Sequence, residues 1–226
     1  MSHSPQPRQS RSRRTSEAIL AAATPLFAAD PPQRVTVDQI ARAADVAAGT
    51  ISMHYGSKER LYLEVVRRAL EVCVRYTGGR VWSPSPMARM RSMGEAFVEF
   101  AVAHPDEFRI VGARATYRTG IPEYRDLEDH IADLLSRDIL QLAADAQAAM
   151  DAGEIRVMPV QQVVSYFWVL WSGMIDLTTR TDAFGLTVDQ LQPMLRDAAD
   201  VLERGLAPEQ PGGVGALPAR PPAQAA

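Results

Sequence analysis

Side chains suited to contact nucleic acid are concentrated between Thr36 and Tyr62, in the stretch TVDQIARAADVAAGTISMHYGSKERLY. Thr50 offers a hydroxyl group and Met53 an apolar tip to base edges, and Lys58 offers a positive charge to a phosphate. Lys58 is the only lysine in the chain, and we expect it at the start of a helix, where the helix dipole also favours an anion. These contacts require a local fold that holds the three side chains on one exposed surface.

The spacing of apolar residues in this stretch predicts two short helices joined by a tight turn, followed by the start of a third helix. Thr36 and Gln39 form the pattern of a capping box, and Asp45 stands at the turn, where a short acid tolerates left-handed backbone. Val46 and Ile51 would anchor the second helix to the core. This is a helix-turn-helix, whose second helix enters the DNA major groove. The outer side of that helix would carry Ala47, Ala48, Gly49, Thr50, Ser52 and Met53.

At these positions the chain resembles the TetR family of bacterial transcriptional regulators. The run Gly-Thr-Ile-x-x-His-Tyr-x-Ser-Lys-x-x-Leu fixes many residue types at fixed offsets, and a helix expected over Ser10 to Ala28 places Phe27 where the family keeps an aromatic residue. The resemblance is sharp over roughly residues 10 to 65 and is one of architecture beyond them. The matching residues are Thr36, Ile40, Ala41, Ala44, Val46, Gly49, Thr50, Ile51, His54, Tyr55, Ser57, Lys58 and Leu61.

The resemblance implies an all-α fold with a three-helix DNA-binding domain over residues 10–56 and a helical ligand-binding and dimerisation domain over residues 57–206. We expect residues 1–9 to form a disordered arm and residues 207–226, rich in Pro, Gly and Ala, to form a disordered tail. The implied function is that of a homodimeric repressor, which a small and mainly apolar effector releases from a near-palindromic DNA operator. The expected DNA contacts are Arg13, Arg14, Thr36, Ala47, Ala48, Gly49, Thr50, Ser52, Met53, His54 and Lys58.

The sequence departs from the family pattern on the surface that would read DNA. The turn has Asp45 where glycine is usual, and Ala47 cannot cap the second helix. Ser52 replaces an aromatic residue that usually touches the DNA backbone, and Ala48 replaces a long polar side chain. We therefore expect thymine methyl contacts and DNA shape to carry more of the specificity than hydrogen bonds to bases.

The charge distribution also indicates that the N-terminal part of the chain contacts nucleic acid. The chain has a net charge of -3, but its first 60 residues hold eight basic and five acidic residues. A basic head on an acidic body is typical of a protein that meets nucleic acid at one end. A single cysteine, Cys73, fits a reducing compartment, and the N-terminal residues lack the apolar core of a signal peptide. We expect a cytoplasmic, nucleoid-associated bacterial protein without a membrane partner.

The rest of the chain has helical periodicity, with no convincing strand. Helices are predicted over residues 57–77, 85–103, 105–114, 122–152, 159–179 and 188–205. In the long helix over residues 122–152, the residues expected to face the core are Leu127, Ile131, Leu134, Leu135, Ile139 and Leu142.

The helix over residues 159–179 has apolar residues on more than one face, which is wider than a surface helix needs. It is either buried within the monomer or, as the resemblance implies, pairs with its copy in a four-helix bundle that also contains the last helix. The residues expected at that subunit interface are Phe167, Trp171, Met174, Ile175 and Leu195.

Aromatic and basic residues in the middle helices are either plain core or the lining of an effector pocket. Their composition suits an apolar or aromatic molecule, with a negative group facing an arginine. The expected ligand contacts are Phe97, Phe100, Phe108, Arg109, Tyr117, Tyr124 and Trp168.

Catalysis is not expected. The sequence lacks a nucleophile elbow, a phosphate loop and a dinucleotide-binding fingerprint, and no two of its four histidines have metal-ligand spacing on one helix. We therefore expect no cofactor and no metal. Two alternatives stay open: a helical dimeric protein-interaction module that has lost DNA binding, and a transcriptional activator on the same scaffold.

Overall fold

The computed structural model describes residues 7–78, 83–114, 119–178, 180 and 182–208. All regular elements in these ranges are helical, as the sequence predicts, and none of them is a strand. In chain order they are α1 Pro7–Ala29, α2 Val37–Ala43, α3 Ala48–Tyr55, α4 Lys58–Gly78, α5 Pro86–Ala103, α6 Pro105–Arg114, a 3₁₀ turn Pro122–Tyr124, α7 Arg125–Asp151, α8 Val160–Leu177 and α9 Val188–Leu206.

The first three helices and the start of α4 form a small head, whose buried residues continue into the core of the body. Ile19 and Phe27 of α1, Ile40 of α2 and Ile51 of α3 are all buried there. The ring of Phe27 meets the edge of Tyr62 on α4 with ring centroids 5.2 Å apart. α4 therefore belongs to the core of the head at its first turns and to the core of the body beyond them.

The body is a helical bundle around α4. α4 packs against α5, α6 and α7, α8 packs against α5 and α7, and α9 covers α8 and α5. Polar contacts fix α5 in this bundle: Arg91 pairs with Asp200 and Glu203 of α9, at 2.6 and 2.5 Å. Among the described helices, none is both long and apolar enough to cross a membrane.

The predicted helix boundaries agree with the structure at most ends, because the end signals are local. Ser85 caps α5 by accepting a hydrogen bond from the amide of Ala88 at 3.1 Å. Gly153 follows α7 with φ at 69°, in the left-handed region that favours glycine after a helix.

Three predictions of the body and arm need correction. α1 begins at Pro7, so residues 7–9 lie in a helix and not in an arm. The helix predicted from residue 122 starts as a 3₁₀ turn, since the amide of Tyr124 bonds the carbonyl of Ile121 at 3.0 Å. Ile139, predicted to face inward, is 43% exposed. Residues 1–6 and 209–226, predicted to be disordered, lie outside the described residues.

Candidate nucleic-acid interface

The turn between α2 and α3 has the geometry that its residue types predict. The hydroxyl of Thr36 accepts from the amide of Gln39 at 3.2 Å, and the side chain of Gln39 accepts from the amide of Thr36 at 2.7 Å. This capping box fixes the start of α2. Asp45 has φ at 53°, which turns the chain sharply into α3. Ala47 precedes α3 without a side-chain hydrogen bond, as predicted.

The last residue of α3 fixes that helix to α1. Tyr55 is buried, and its hydroxyl donates to the carbonyl of Ser16 at 2.8 Å and lies 2.6 Å from the hydroxyl of Ser16. Burial raises the pKa of Tyr55, which keeps the phenol protonated and able to donate. The sequence motif includes Tyr55 but does not predict its role. An aromatic residue at the end of a short helix is a signal that the helix is anchored to its neighbours.

The outer surface of α3 carries mostly small side chains. Met53 is 76% exposed, and Gly49 and Ser52 are also exposed. The space beside the Cα of Gly49 is empty within 4 Å of where a Cβ would stand, so another molecule's backbone can approach it closely. Thr50 is only half-buried, so its side chain still reaches the surface. α3 thus presents an apolar tip and a glycine at its most exposed points.

Ala47 and Ala48 differ in their surroundings. Ala47 is exposed at the start of α3. Ala48, predicted on the outer side, is half-buried and packs against the core of the head, which limits what it can present to DNA.

Lys58 has a partner that the sequence did not reveal. Its Nζ donates to the carbonyl of Val35 at 2.9 Å, which ties the start of α4 to the segment that precedes α2. An ammonium group has three donor hydrogens, so this bond leaves donors for a phosphate. His54, half-buried at the end of α3, lies with its ring centroid 6.4 Å from that of Tyr55. Arg13 and Arg14 are exposed on α1, and Arg13 faces Glu17 at 3.7 Å.

The head matches a known family. Residues 19–65 match the family model described as bacterial regulatory proteins, tetR family. These residues therefore form the N-terminal domain that characterises the TetR family. No curated protein matches the sequence.

Solved TetR-family structures share the fold over most of the chain. A regulatory protein from Rhodococcus RHA1 is 18% identical, with a TM-score of 0.69 over 87% of this chain and 98% of that one. The regulator PfmR from Thermus thermophilus is 21% identical, with a TM-score of 0.67 over 85% and 96%. A regulator from Chloroflexus aurantiacus is 12% identical, with a TM-score of 0.70 over 87% and 95%. At these identities the likeness establishes a TetR-like fold.

The residues predicted at the subunit interface are core residues of one protomer. All five are buried within the single chain: the four on α8 belong to a helix that packs against α5, α7 and α9, and the fifth, on α9, belongs to a helix that packs against α5 and α8. They are Phe167, Trp171, Met174, Ile175 and Leu195. The large apolar side chains that α8 and α9 leave exposed are others: Tyr166 (44%), Trp168 (43%), Val169 (68%), Met194 (44%) and Val201 (69%).

The predicted ligand contacts are only partly brought together. Phe97 and Trp168 line one cleft between the helices of the body. Phe100 is fully buried in the core, and Phe108 packs on Phe97 with centroids 5.4 Å apart. Tyr117 lies outside the described residues.

Two of the predicted ligand contacts have other roles. Arg109 is exposed on α6 and pairs with Asp106 one turn earlier at 3.0 Å, so it faces solvent and not the cleft. Tyr124 bonds Ser57 at the junction of head and body, with the hydroxyl oxygens 2.9 Å apart.

Proposed function

We propose that this TetR-family chain acts in the cytoplasm as a homodimeric repressor, which a small and mainly apolar effector releases from a near-palindromic operator. The observation that supports this most is the attachment of α3 to α1 by Tyr55. That contact holds the outer surface of α3, with Met53 at its tip, in a fixed orientation on the head. A fixed helix with an exposed surface suits insertion into a major groove.

The exposed apolar residues of α8 and α9 support the dimer. One face of α8 carries, at helical spacing, Tyr166, Val169 and Gly173. Gly173 is exposed, and no atom lies within 4 Å of where its Cβ would stand. Met194 and Val201 stand two turns apart on α9, which packs on α8. Large apolar side chains clustered on exposed helix faces mark a site of association. A second copy of the chain is the partner that a symmetric DNA site requires.

The dimer is tested by a charge placed in the proposed interface. Val169→Glu would bury a carboxylate without a partner and should convert the dimer to a monomer in light scattering coupled to gel filtration. Val157→Glu is the matched control, because Val157 is 87% exposed but lies before α8. If both variants stay dimeric, the interface lies elsewhere; if the unchanged chain is a monomer, the dimer is wrong.

DNA binding is tested with the DNA upstream of the chain's own gene. A footprint should protect two related half-sites about one helical turn apart, and reporter expression should rise when the gene is deleted. A fall in reporter expression on deletion would favour an activator. No protection of any upstream DNA would favour the protein-interaction module.

A further inference from the structure

A groove opens on the surface of the body between α5 and α9, with a cavity of about 250 Å³. A water molecule takes about 30 Å³ of liquid, so a space of this size can hold a molecule as large as a free amino acid. Each helix contributes three residues at the spacing of one helix face. The described residues that line the groove are Glu95, Val98 and Glu99 of α5, and Gln192, Leu195 and Arg196 of α9.

The two helices are joined by ion pairs next to the groove and stand apart at the groove itself. One turn before Glu95, Arg91 of α5 reaches across to Asp200 and Glu203 of α9, at 2.6 and 2.5 Å. These pairs fix α5 and α9 relative to each other at one end of the groove. The open space beyond them is therefore held between two anchored helices.

The charged groups of the groove face each other without pairing. Glu95 and Glu99 stand one turn apart on the same face of α5, where like charges repel each other. Arg196 stands on the α9 wall. Among the described residues, none of these three side chains forms an ion pair with another residue. One wall thus offers two free carboxylates, and the other wall offers a free guanidinium group that can donate two parallel hydrogen bonds.

The floor between the two walls is apolar. Val98 is fully buried, and Leu195 is 4% exposed. Both are branched aliphatic residues, and covering them with an aliphatic group removes apolar surface from water. The groove therefore has negative charge on one side, positive charge on the other and an aliphatic surface between them.

We propose that this groove binds a free α-amino acid with an aliphatic side chain. Its ammonium group is held by the carboxylates of Glu95 and Glu99, and its carboxylate group is held by the guanidinium group of Arg196. The side chain of the ligand covers the apolar floor. A ligand with a single charge would leave one wall of the groove without a partner, so the structure selects a zwitterion.

This site goes beyond the proposed function and does not depend on it. Four residues make slightly more than one helical turn, so Gln192 and Arg196 share one side of α9. Met194 and Val201, which we assign to the dimer, lie on the opposite side of that helix. The proposed dimer therefore leaves the groove open, and binding can be measured without DNA.

The test compares three ligands that share one aliphatic group. Leucine carries both charges, 3-methylbutylamine is leucine without the carboxylate, and 4-methylpentanoate is leucine without the ammonium group. Calorimetric titration of the unmodified full chain near neutral pH measures the three affinities. We expect leucine to bind at least about tenfold more tightly than either relative. Equal affinity of leucine and one of its relatives, or no binding of leucine at millimolar concentration, would overturn the assignment.

Arg196→Gln tests the wall that holds the carboxylate, because it removes the positive charge from that wall. We expect this variant to bind leucine at least about tenfold more weakly and to bind 3-methylbutylamine as before. Arg204→Gln is the matched control, since Arg204 is exposed in the last turn of α9 and does not line the groove. An Arg196 variant that keeps full affinity for leucine, or an equal loss in both variants, would overturn the assignment.

Glu99→Gln tests the wall that holds the ammonium group. We expect it to weaken leucine and 3-methylbutylamine and to leave 4-methylpentanoate unaffected. Glu123→Gln is the matched control, because Glu123 is exposed in the 3₁₀ turn before α7, outside the groove. Unchanged affinity for leucine in the Glu99 variant would overturn the assignment. Should either groove variant fail to fold, the comparison of the three ligands on the unmodified chain still decides.

Discussion

The hydroxyl oxygen of Tyr124 lies 2.9 Å from that of Ser57, and this contact joins the body to the head. Tyr124 stands at the start of α7, and Ser57 caps α4 by accepting from the amide of Arg60 at 3.1 Å. α4 carries part of the core of both units. A change in the body that moves the start of α7 would therefore act directly on the first turn of α4.

The first prediction concerns this contact. Tyr124→Phe should lower the free energy of unfolding by about 0.5–1.5 kcal/mol, since one hydrogen bond is lost. Amide hydrogen exchange should speed up in the first turn of α4, because local opening there becomes easier. Ser12→Ala, which removes a hydroxyl at an exposed position early in α1, is the control and should change neither quantity. Unchanged exchange in the Tyr124 variant would show that the contact does not hold the two units together.

The second prediction concerns the two roles of Lys58. Lys58→Ala should weaken binding to all DNA sequences alike and reduce the slope of log affinity against log salt by about one. It should also lower the free energy of unfolding by about 1–3 kcal/mol, because the carbonyl of Val35 loses a charged donor.

The matched control for that prediction is Arg75→Ala, which removes the same charge from an exposed position near the other end of α4. It should leave the salt slope unchanged. A Lys58 variant that is less stable but binds DNA with the original slope would assign Lys58 to the fold alone.

The third prediction concerns base reading. Thr50→Ala should relax the sequence preference at one symmetric pair of operator positions, at a cost of roughly 1–3 kcal/mol. Selection of DNA sites from a random library measures this directly. Ser12→Ala is the control, since Ser12 is exposed early in α1 and not on α3. If the Thr50 variant selects the same sites as the original chain, Thr50 does not face a base.

Local signals in the sequence predicted the head better than they predicted the interfaces of the body. The capping box at Thr36 and the turn at Asp45 depend on residues within a few positions, and both are confirmed. Lys58, by contrast, bonds the carbonyl of Val35, which lies 23 residues away. The sequence around a lysine at a helix start is the same whether its ammonium group binds a carbonyl or a phosphate. Such a choice is decided by tertiary packing, which one sequence does not contain.

The same reason explains the errors at Trp171 and Arg109. α8 is apolar on more than one face, and the sequence does not tell which face meets the protomer's own core and which stays exposed. Trp171 belongs to the inner face and Val169 to the outer. For Arg109 a signal was present, because Asp106 stands three residues earlier on the same helix and competes for the guanidinium group.

The fourth prediction uses the close approach of Gly94 to Trp171. A Cβ on Gly94 would overlap Nε1 of the indole ring, so the ring must move. Gly94→Ala should therefore lower the free energy of unfolding by about 1–3 kcal/mol and alter tryptophan fluorescence, as measured by urea denaturation. Gly112→Ala is the matched control on α6, where nothing lies within 4 Å, and it should stabilise the protein by about 0.5–1 kcal/mol. Destabilisation of similar size in both variants would contradict the packing described for Trp171.

The fifth prediction concerns Tyr55 and pH. The pKa of Tyr55 is raised above its usual value of about 10 by burial, so the folded state holds the phenolic proton more tightly than the unfolded state does. The resulting stability is fully present below pH of about 10 and is lost as the pH rises through the raised pKa. Tyr55→Phe should be less stable near neutral pH by about 1 kcal/mol, because it loses the bonds to Ser16. Because phenylalanine does not titrate, the difference in the free energy of unfolding between the two proteins should shrink in alkaline solution.

The Tyr55→Phe variant should also bind the operator more weakly, since α3 is no longer fixed to α1. Urea denaturation between neutral pH and pH of about 11, together with operator titrations at neutral pH, measures all three effects. A variant that keeps full operator affinity would mean that the orientation of α3 does not depend on the Tyr55–Ser16 contact.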